Sequence, residues 1–242
     1  MIYTNKIVVI TGGGRGLGAR FASDLAAQGA SVHILARNEE RLQTVRDRIR
    51  RAGGVCEAHP CDISDESAVK RVFKNITNMD GTVDILINNA AYHKSISIEE
   101  MPLSEWQAMI DINLTGAFLC CREVIPGMKN KKYGKILNIS SSAAKHYFPG
   151  FSAYAASKAG LISLTNSLSE ELKMDGINVN AIYLGMTNTE YTRERLDSDK
   201  AVTIHTDDML QEDEVSRVVQ FLVSDDSAPM MGASVDVFGK KS

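Results

Sequence analysis

The chain has 242 residues, of which 44% are hydrophobic and 24% charged, and its formal net charge is −3. That balance excludes a disordered chain and argues against a nucleic-acid binder that works by neutralising phosphates. A chain of this length is expected to form one domain over residues 1–242, burying roughly 70–75% of its unfolded surface without a disulfide or metal staple.

Met1–Asn5 has no charged region leading into an apolar stretch, and no apolar run reaches the roughly 18 residues of a membrane span, so neither a leader nor a membrane partner is expected, and the location expected is cytoplasmic. Cys56, Cys61, Cys120 and Cys121 form no C-x-x-C, and His33, His59, His93, His146 and His205 show no H-x-x-x-H. No metal site is expected, and the cysteines read as reduced and packed.

In chain order, Ile7–Ile10 is an apolar, β-branched run and reads as the first strand. A glycine cluster and the helical Ala19-Arg20-Phe21 follow it. Val32–Leu35 is the second strand. Asn38 suits an N-cap, Glu39 and Glu40 suit the first turn, Leu42, Val45 and Ile49 mark a buried face, and Gly53-Gly54 stops the helix. Val55–Pro60 and Ile85–Asn88 are the next strands. Ser104-Glu105-Trp106-Gln107 has capping-box spacing. Ile136–Ile139 is a fifth strand, Leu161, Leu164, Leu168 and Leu172 form a helical stripe, and Ile177–Tyr183 and Ser234–Val237 complete the set. The polar stretch Glu190–Asp208 reads as a mobile loop, part of a candidate substrate loop over 190–213. Strands without polar alternation are covered on both faces. The fold expected is α/β: a single doubly wound parallel sheet of about seven strands, a Rossmann fold, with helices on both faces.

Thr11-Gly12-Gly13-Gly14-Arg15-Gly16-Leu17-Gly18 lies between strand and helix. Glycines there let a pyrophosphate approach the backbone, and the helix N-terminus offers free N–H groups and a positive dipole end. Two parsings are open: Gly14-x-Gly16-x-x-Ala19, the general dinucleotide fingerprint, and Gly12-x-x-x-Gly16-x-Gly18. The second strand ends Leu35-Ala36-Arg37-Asn38, with no carboxylate for a ribose 2′-hydroxyl. Arg37 and Arg15 could instead clamp a 2′-phosphate, which favours NADP(H) over NAD(H). A chain this short leaves no room for a separate substrate domain, so one domain must hold cofactor and small-molecule substrate together.

Tyr154 and Lys158 stand four apart, on one helix face, and Ser141 lies thirteen residues before Tyr154, at the C-terminal end of a strand where a parallel sheet opens its crevice. With Gly12-x-x-x-Gly16-x-Gly18, Asp62 after the third strand, Asn88-Asn89-Ala90-Ala91 after the fourth, and Asn113 in Asp111-Ile112-Asn113-Leu114, the sequence resembles the short-chain dehydrogenase/reductase family over nearly its whole length. The family's motifs together select the second parsing, and the resemblance favours the 3-oxoacyl-thioester reductase branch.

The resemblance implies roles. Tyr154 would protonate the carbonyl oxygen as hydride arrives. Lys158 would lower the Tyr154 pKa and hold the nicotinamide ribose. Ser141 would orient the substrate oxygen, and Asn113 would interrupt its helix and connect Lys158 to solvent. Gly12, Arg15, Gly16, Leu17, Gly18, Arg37, Asp62, Ile63, Asn89, Ala90, Gly185, Thr187 and Thr189 would join Tyr154 and Lys158 in holding the cofactor. Leu184 replaces the family's Pro before Gly185, and Ala91 replaces a Gly. Tyr92, His93, His146, Tyr147, Phe151, Met186 and Tyr191 are the candidate substrate contacts. Lys94, Lys145 and Arg193 could attract an anionic thioester. The activity implied is NADPH-dependent reduction of a carbonyl to a secondary alcohol, with a 3-oxoacyl thioester as one candidate. The alternatives are a dehydrogenase of a sugar, polyol or secondary-metabolite intermediate, and a non-catalytic NADP-binding sensor. Family members imply a homotetramer or homodimer.

Overall fold

Alternation along the first strand divides the interior in two. Val8 and Ile10 pack into one apolar cluster, while Ile7 and Val9 pack into another on the opposite face of the same sheet. A computed structural model describes residues 1–198 and 208–239. Its strands are β1 (Ile7–Thr11), β2 (Ser31–Ala36), β3 (Val55–Pro60), β4 (Ile85–Asn88), β5 (Gly134–Ile139), β6 (Ile177–Leu184) and β7 (Ser234–Val237). All pair in parallel, in the order β3-β2-β1-β4-β5-β6-β7. The order reverses between β1 and β4, and a crevice opens there above the carboxyl ends of the strands.

Helices α1 (Gly16–Ala27), α2 (Glu39–Arg51) and α8 (Glu212–Val223) cover one face, through Phe21, Leu42 and Val219 among others. Helices α3 (Glu66–Met79), α5 (Gly116–Lys131) and α6 (Ser152–Leu172) cover the other, through Phe73, Val124 and Leu172. The seven strands and their two helical layers match the fold the sequence implies. None of the described helices is long and apolar enough to cross a membrane.

Local signals explain most boundaries. Asn38 caps α2, its Oδ1 accepting from the Arg41 N–H at 2.9 Å. Gly53 takes a φ of +86° just after that helix ends. The capping box at Ser104 is not formed: α4 runs Leu103–Ile110 with Pro102 at its N-cap, which places Ser104 inside the first turn. The Leu161–Leu172 stripe is shifted too. The buried face of α6 carries Leu161, Ile162, Thr165, Ser169 and Leu172, and Leu164 and Leu168 are only partly buried. Part of the expected loop is helical, as α7 (Glu190–Ser198), while residues 199–207, with His205, lie outside the described residues. All four cysteines are free and buried, and burial pushes Cys56 and Cys121 to about 12, which keeps them as unreactive thiols.

A polar chain crosses the sheet edge between β2, β3 and the end of α3. His33 Nδ1 meets His59 Nε2 at 2.9 Å, His33 Nε2 meets Asp80 Oδ2 at 3.0 Å, and Ser31 Oγ donates to the same oxygen at 2.8 Å. Burial lowers His33 and pushes His59 down to about 4, against the nearby Asp80 and Glu57 carboxylates. The unfolded chain therefore takes up protons near its ordinary pKa of about 6.5 that the folded chain refuses. Stability from this pair is complete above that pH and is lost as pH falls towards 4. The expected loss is about 1–3 kcal/mol by denaturant unfolding. His59→Gln should flatten the slope. An equally steep fall in that variant would place the acid sensitivity elsewhere.

Candidate active site

The turn after β1 is built so that backbone, not side chain, faces the crevice. Gly12 and Gly16 hold φ values of +69° and +51°. A Cβ on Gly12 would lie 2.9 Å from Ala90 Cα, and one on Gly18 would lie 2.3 Å from the Gly12 carbonyl oxygen. Asn89 and Ala90 at the end of β4 pin this turn: both backbone N–H groups donate to Thr11 Oγ1 at 3.0 Å, and Asn89 Nδ2 donates to Thr11 O at 2.9 Å. The first turn of α1 then opens towards the same space with unsatisfied N–H groups.

That space is a cavity of about 1130 Å³. Every residue expected at the cofactor lines it, from Gly12, Arg15 and Arg37 to Thr187 and Thr189. At the far end of the glycine turn the lining cations are Arg15, Arg37 and Arg41. Arg15 lies 3.3 Å from Glu194 Oε2 and its guanidinium stands 4.9 Å from the Tyr191 ring. Sequence reasoning missed Arg41. Its signal was available: it follows the Asn38 cap by three residues, which puts both on one side of the first turn. Asp62 lines the cavity while its Oδ1 accepts from Ser64 N and Oγ, at 3.0 and 2.6 Å.

The other half of the site hangs on β5 and α6. Lys158 is fully buried, and its Nζ donates to the Ile139 carbonyl at 2.7 Å. Desolvation pushes it down to about 8. The same ammonium lies 5.8 Å from the centre of the Tyr154 ring. Ser140 is buried, and its Oγ donates to the Lys158 carbonyl at 2.9 Å, fastening α6 to β5. Ser141 lines the cavity and caps a short turn, Oγ accepting from Ala143 N at 3.2 Å.

Asn113 stands one layer behind. It lies in a π-helical segment, Asp111–Thr115, that interrupts the helix between α4 and α5. Its Oδ1 accepts from Tyr92 N at 2.7 Å, and its Nδ2 donates to Tyr92 O and to Ser157 Oγ, both at 2.9 Å. The asparagine thus ties the loop after β4 to α6, one residue before Lys158.

Six of the seven candidate substrate residues join the cavity: Tyr92, His93, His146, Phe151, Met186 and Tyr191. Tyr147 does not, and it is 91% exposed. Phe148, Met209 and Phe238 line it without having been foreseen. Gly185 lets β6 pass Phe238, since a Cβ there would lie 2.9 Å from the Phe238 Cα.

A crevice of this build can hold a dinucleotide along the glycine turn with Tyr154 and Lys158 at its reacting end. The model of the short chain dehydrogenase family matches residues 6–201. The chain belongs to that family. It is 32% identical over 238 residues to the 3-oxoacyl-[acyl-carrier-protein] reductase of Staphylococcus aureus, covering 97% of each chain. It is 32% identical over 242 residues to the same reductase of Escherichia coli, covering 99% of this chain and 98% of that one. Among solved structures, a variant of actinorhodin polyketide ketoreductase with NADPH superposes with a TM-score of 0.92 at 27% identity, covering 98% of both chains. The chain is thus an oxidoreductase of this family, related to the 3-oxoacyl reductase branch.

Proposed function

We propose that this chain reduces a ketone to a secondary alcohol with NADPH. The observation that carries the reading is the buried Lys158 ammonium, 5.8 Å from the centre of the Tyr154 ring, in a cavity that also takes in the glycine-rich turn. The residues fit the cofactor: Gly12 and Gly18 let the turn pack so closely on Ala90 and Asn89 that no side chain from these positions enters the crevice, and Arg37, not an acidic residue, stands directly after β2. Gly12, Leu17, Gly18, Asp62, Ile63 and Ala90 would hold the adenine and pyrophosphate half, and Gly185, Thr187 and Thr189 the nicotinamide half. Arg15 and Arg37 would clamp the 2′-phosphate. NADPH supplies the hydride when bound.

The protein's own work is proton placement. Tyr154 donates its phenolic proton to the carbonyl oxygen. A free phenol, with a pKa of about 10, gives that proton up reluctantly. The Lys158 charge favours the phenolate and makes the donation easier. Ser141 orients the carbonyl oxygen; its neighbour Ser140 spends its hydroxyl proton on the Lys158 carbonyl. Asn113 holds the π-helical break open beside Ser157, where water can restore the proton through Lys158. A family-like dimer or tetramer fits the exposed Phe118 and Leu103 on α5 and α4.

The test is direct. Purified protein given a panel of ketones should consume NADPH and yield the matching alcohols. Tight NADPH binding with no consumption across the panel would return the protein to the class of nucleotide sensors.

A further inference from the structure

We propose that the substrate of this cavity is an uncharged ketone carried on a ring, a cyclic or aryl ketone, and not an acyl chain on an anionic carrier arm or a polyol. The inference rests on the carbonyl-reductase reading above and names its substrate class.

The first observation is a continuous aromatic wall that ends on the proposed proton donor. Phe148 and Phe151 lie 5.4 Å apart between ring centres, Phe151 and His93 lie 4.3 Å apart, and His93 stands edge-on to Tyr154 at 4.7 Å. Phe151 also stands perpendicular to Tyr154, with ring centres 6.2 Å apart. All four line the cavity. Phe148 is 47% exposed, so the wall runs from the mouth of the cavity to the tyrosine. The rings meet at 46–83°, so they present faces and edges on which a planar or alicyclic ring can pack at the spacing aromatic pairs favour, with its carbonyl towards Tyr154. A flexible acyl chain gains less from aromatic rings and loses more freedom on binding.

The second observation is where the cations are. Lys94, Lys145 and Arg193 are the groups that could draw in an anionic substrate, and none of them lines the cavity. Lys94 Nζ lies 2.7 Å from Glu105 Oε1, Lys145 pairs with Asp236 and also stands 3.9 Å from the Tyr183 ring centre, and Arg193 Nη1 donates to Asn188 Oδ1 at 2.7 Å. An approaching anion would meet the carboxylates of the first two pairs as well as their ammonium groups. Among the described residues, the cations that do line the cavity belong to the cofactor end (Arg15, Arg37 and Arg41) or lie beneath Tyr154 as Lys158. An anionic group inside the cavity therefore meets only cations that serve the cofactor end or Tyr154.

The third observation concerns hydroxyls. A polyol needs a partner for each one, because a buried hydroxyl left unpaired is penalised. The Tyr92 hydroxyl already donates to Glu105 Oε2 at 2.8 Å, and Phe148, Phe151, Met186 and Met209 give their share of the lining no hydrogen-bond partner to offer.

The experiment compares initial rates with NADPH on tetralone and cyclohexanone, on acetoacetyl-coenzyme A and its uncharged N-acetylcysteamine analogue, and, in the oxidative direction, on sorbitol and gluconate. The expected result is a kcat/KM for tetralone at least about tenfold above either thioester, equivalent to about 1.4 kcal/mol. Phe151→Leu and Phe148→Leu should raise KM for tetralone about three- to tenfold with little change in kcat, as loss of a stacking face does. NADPH binding, followed by fluorescence, should not move. Preference for acetoacetyl-coenzyme A, or KM unchanged in both leucine variants, would overturn the substrate class and leave the reductase reading standing. Preference for sorbitol or gluconate would do the same. Failure to turn over any carbonyl, with NADPH bound, would overturn the reductase reading and this inference with it.

Discussion

Tyr154→Phe is expected to cut carbonyl reduction by about 10²–10⁴-fold, the size of a lost general acid, while NADPH affinity changes by less than about twofold. The substitution removes one oxygen. The ring remains, and with it the edge contacts to His93 and Phe151. Lys158 keeps its bond to the Ile139 carbonyl, so the floor of the site is held as before. The split between turnover and binding is the informative part. Rates from nicotinamide absorbance and binding from fluorescence give the two numbers on one preparation. A variant that keeps its full kcat would remove Tyr154 from the reaction. One that loses both kcat and NADPH affinity would make the hydroxyl a cofactor contact first and an acid second.

The first strand and its glycine turn were legible because local chemistry alone specifies them. An apolar run without alternation means cover on both faces, and Val8/Ile10 against Ile7/Val9 show that cover. Gly12 and Gly18 are glycines because the Ala90 and Gly12 backbone and the Asn89 amide crowd the places where a Cβ would go. The spacing of Tyr154 and Lys158 survives the move to three dimensions because one helix carries both.

What escaped the sequence depends on long-range approach. Phe238 and Met209 reach the cavity from beyond β6, and nothing near them in the chain announces it. Pro102 set the start of α4 one residue before the expected cap, since a fixed φ near −64° at that position already leads into the helix. Ser140 and Ser141 follow β5 directly and both line the cavity, but the Ser140 hydroxyl donates to the Lys158 carbonyl while the Ser141 hydroxyl accepts from Ala143 N, a difference the sequence does not show. Lys94 and Lys145 pair with Glu105 and Asp236 and neither lines the cavity, a placement that one dimension does not show.

Arg37→Asp is expected to reverse the cofactor preference, by about 10²–10³-fold in the ratio of kcat/KM for NADPH over NADH. Two effects add. Loss of a charge-assisted pair with the 2′-phosphate costs about 1.5–3 kcal/mol, and the new carboxylate repels what the guanidinium attracted. The same carboxylate, directly after β2, can accept from the free 2′-hydroxyl of NADH, so one side of the ratio falls as the other rises. The reversal should stop short of complete exclusion of NADPH, because Arg15 and Arg41 still line that end of the cavity. Arg15 is shared with Glu194, a pair with both partners substantially exposed, and such a surface contact is weak enough for a phosphate to displace. Salt sets the control. Raising ionic strength should weaken NADPH binding to the parent chain more than to the variant, since one fewer cation then faces the phosphate. An Arg37→Asp protein that keeps its parent's preference would mean that Arg15 and Arg41 suffice, and that the end of β2 does not read the nucleotide.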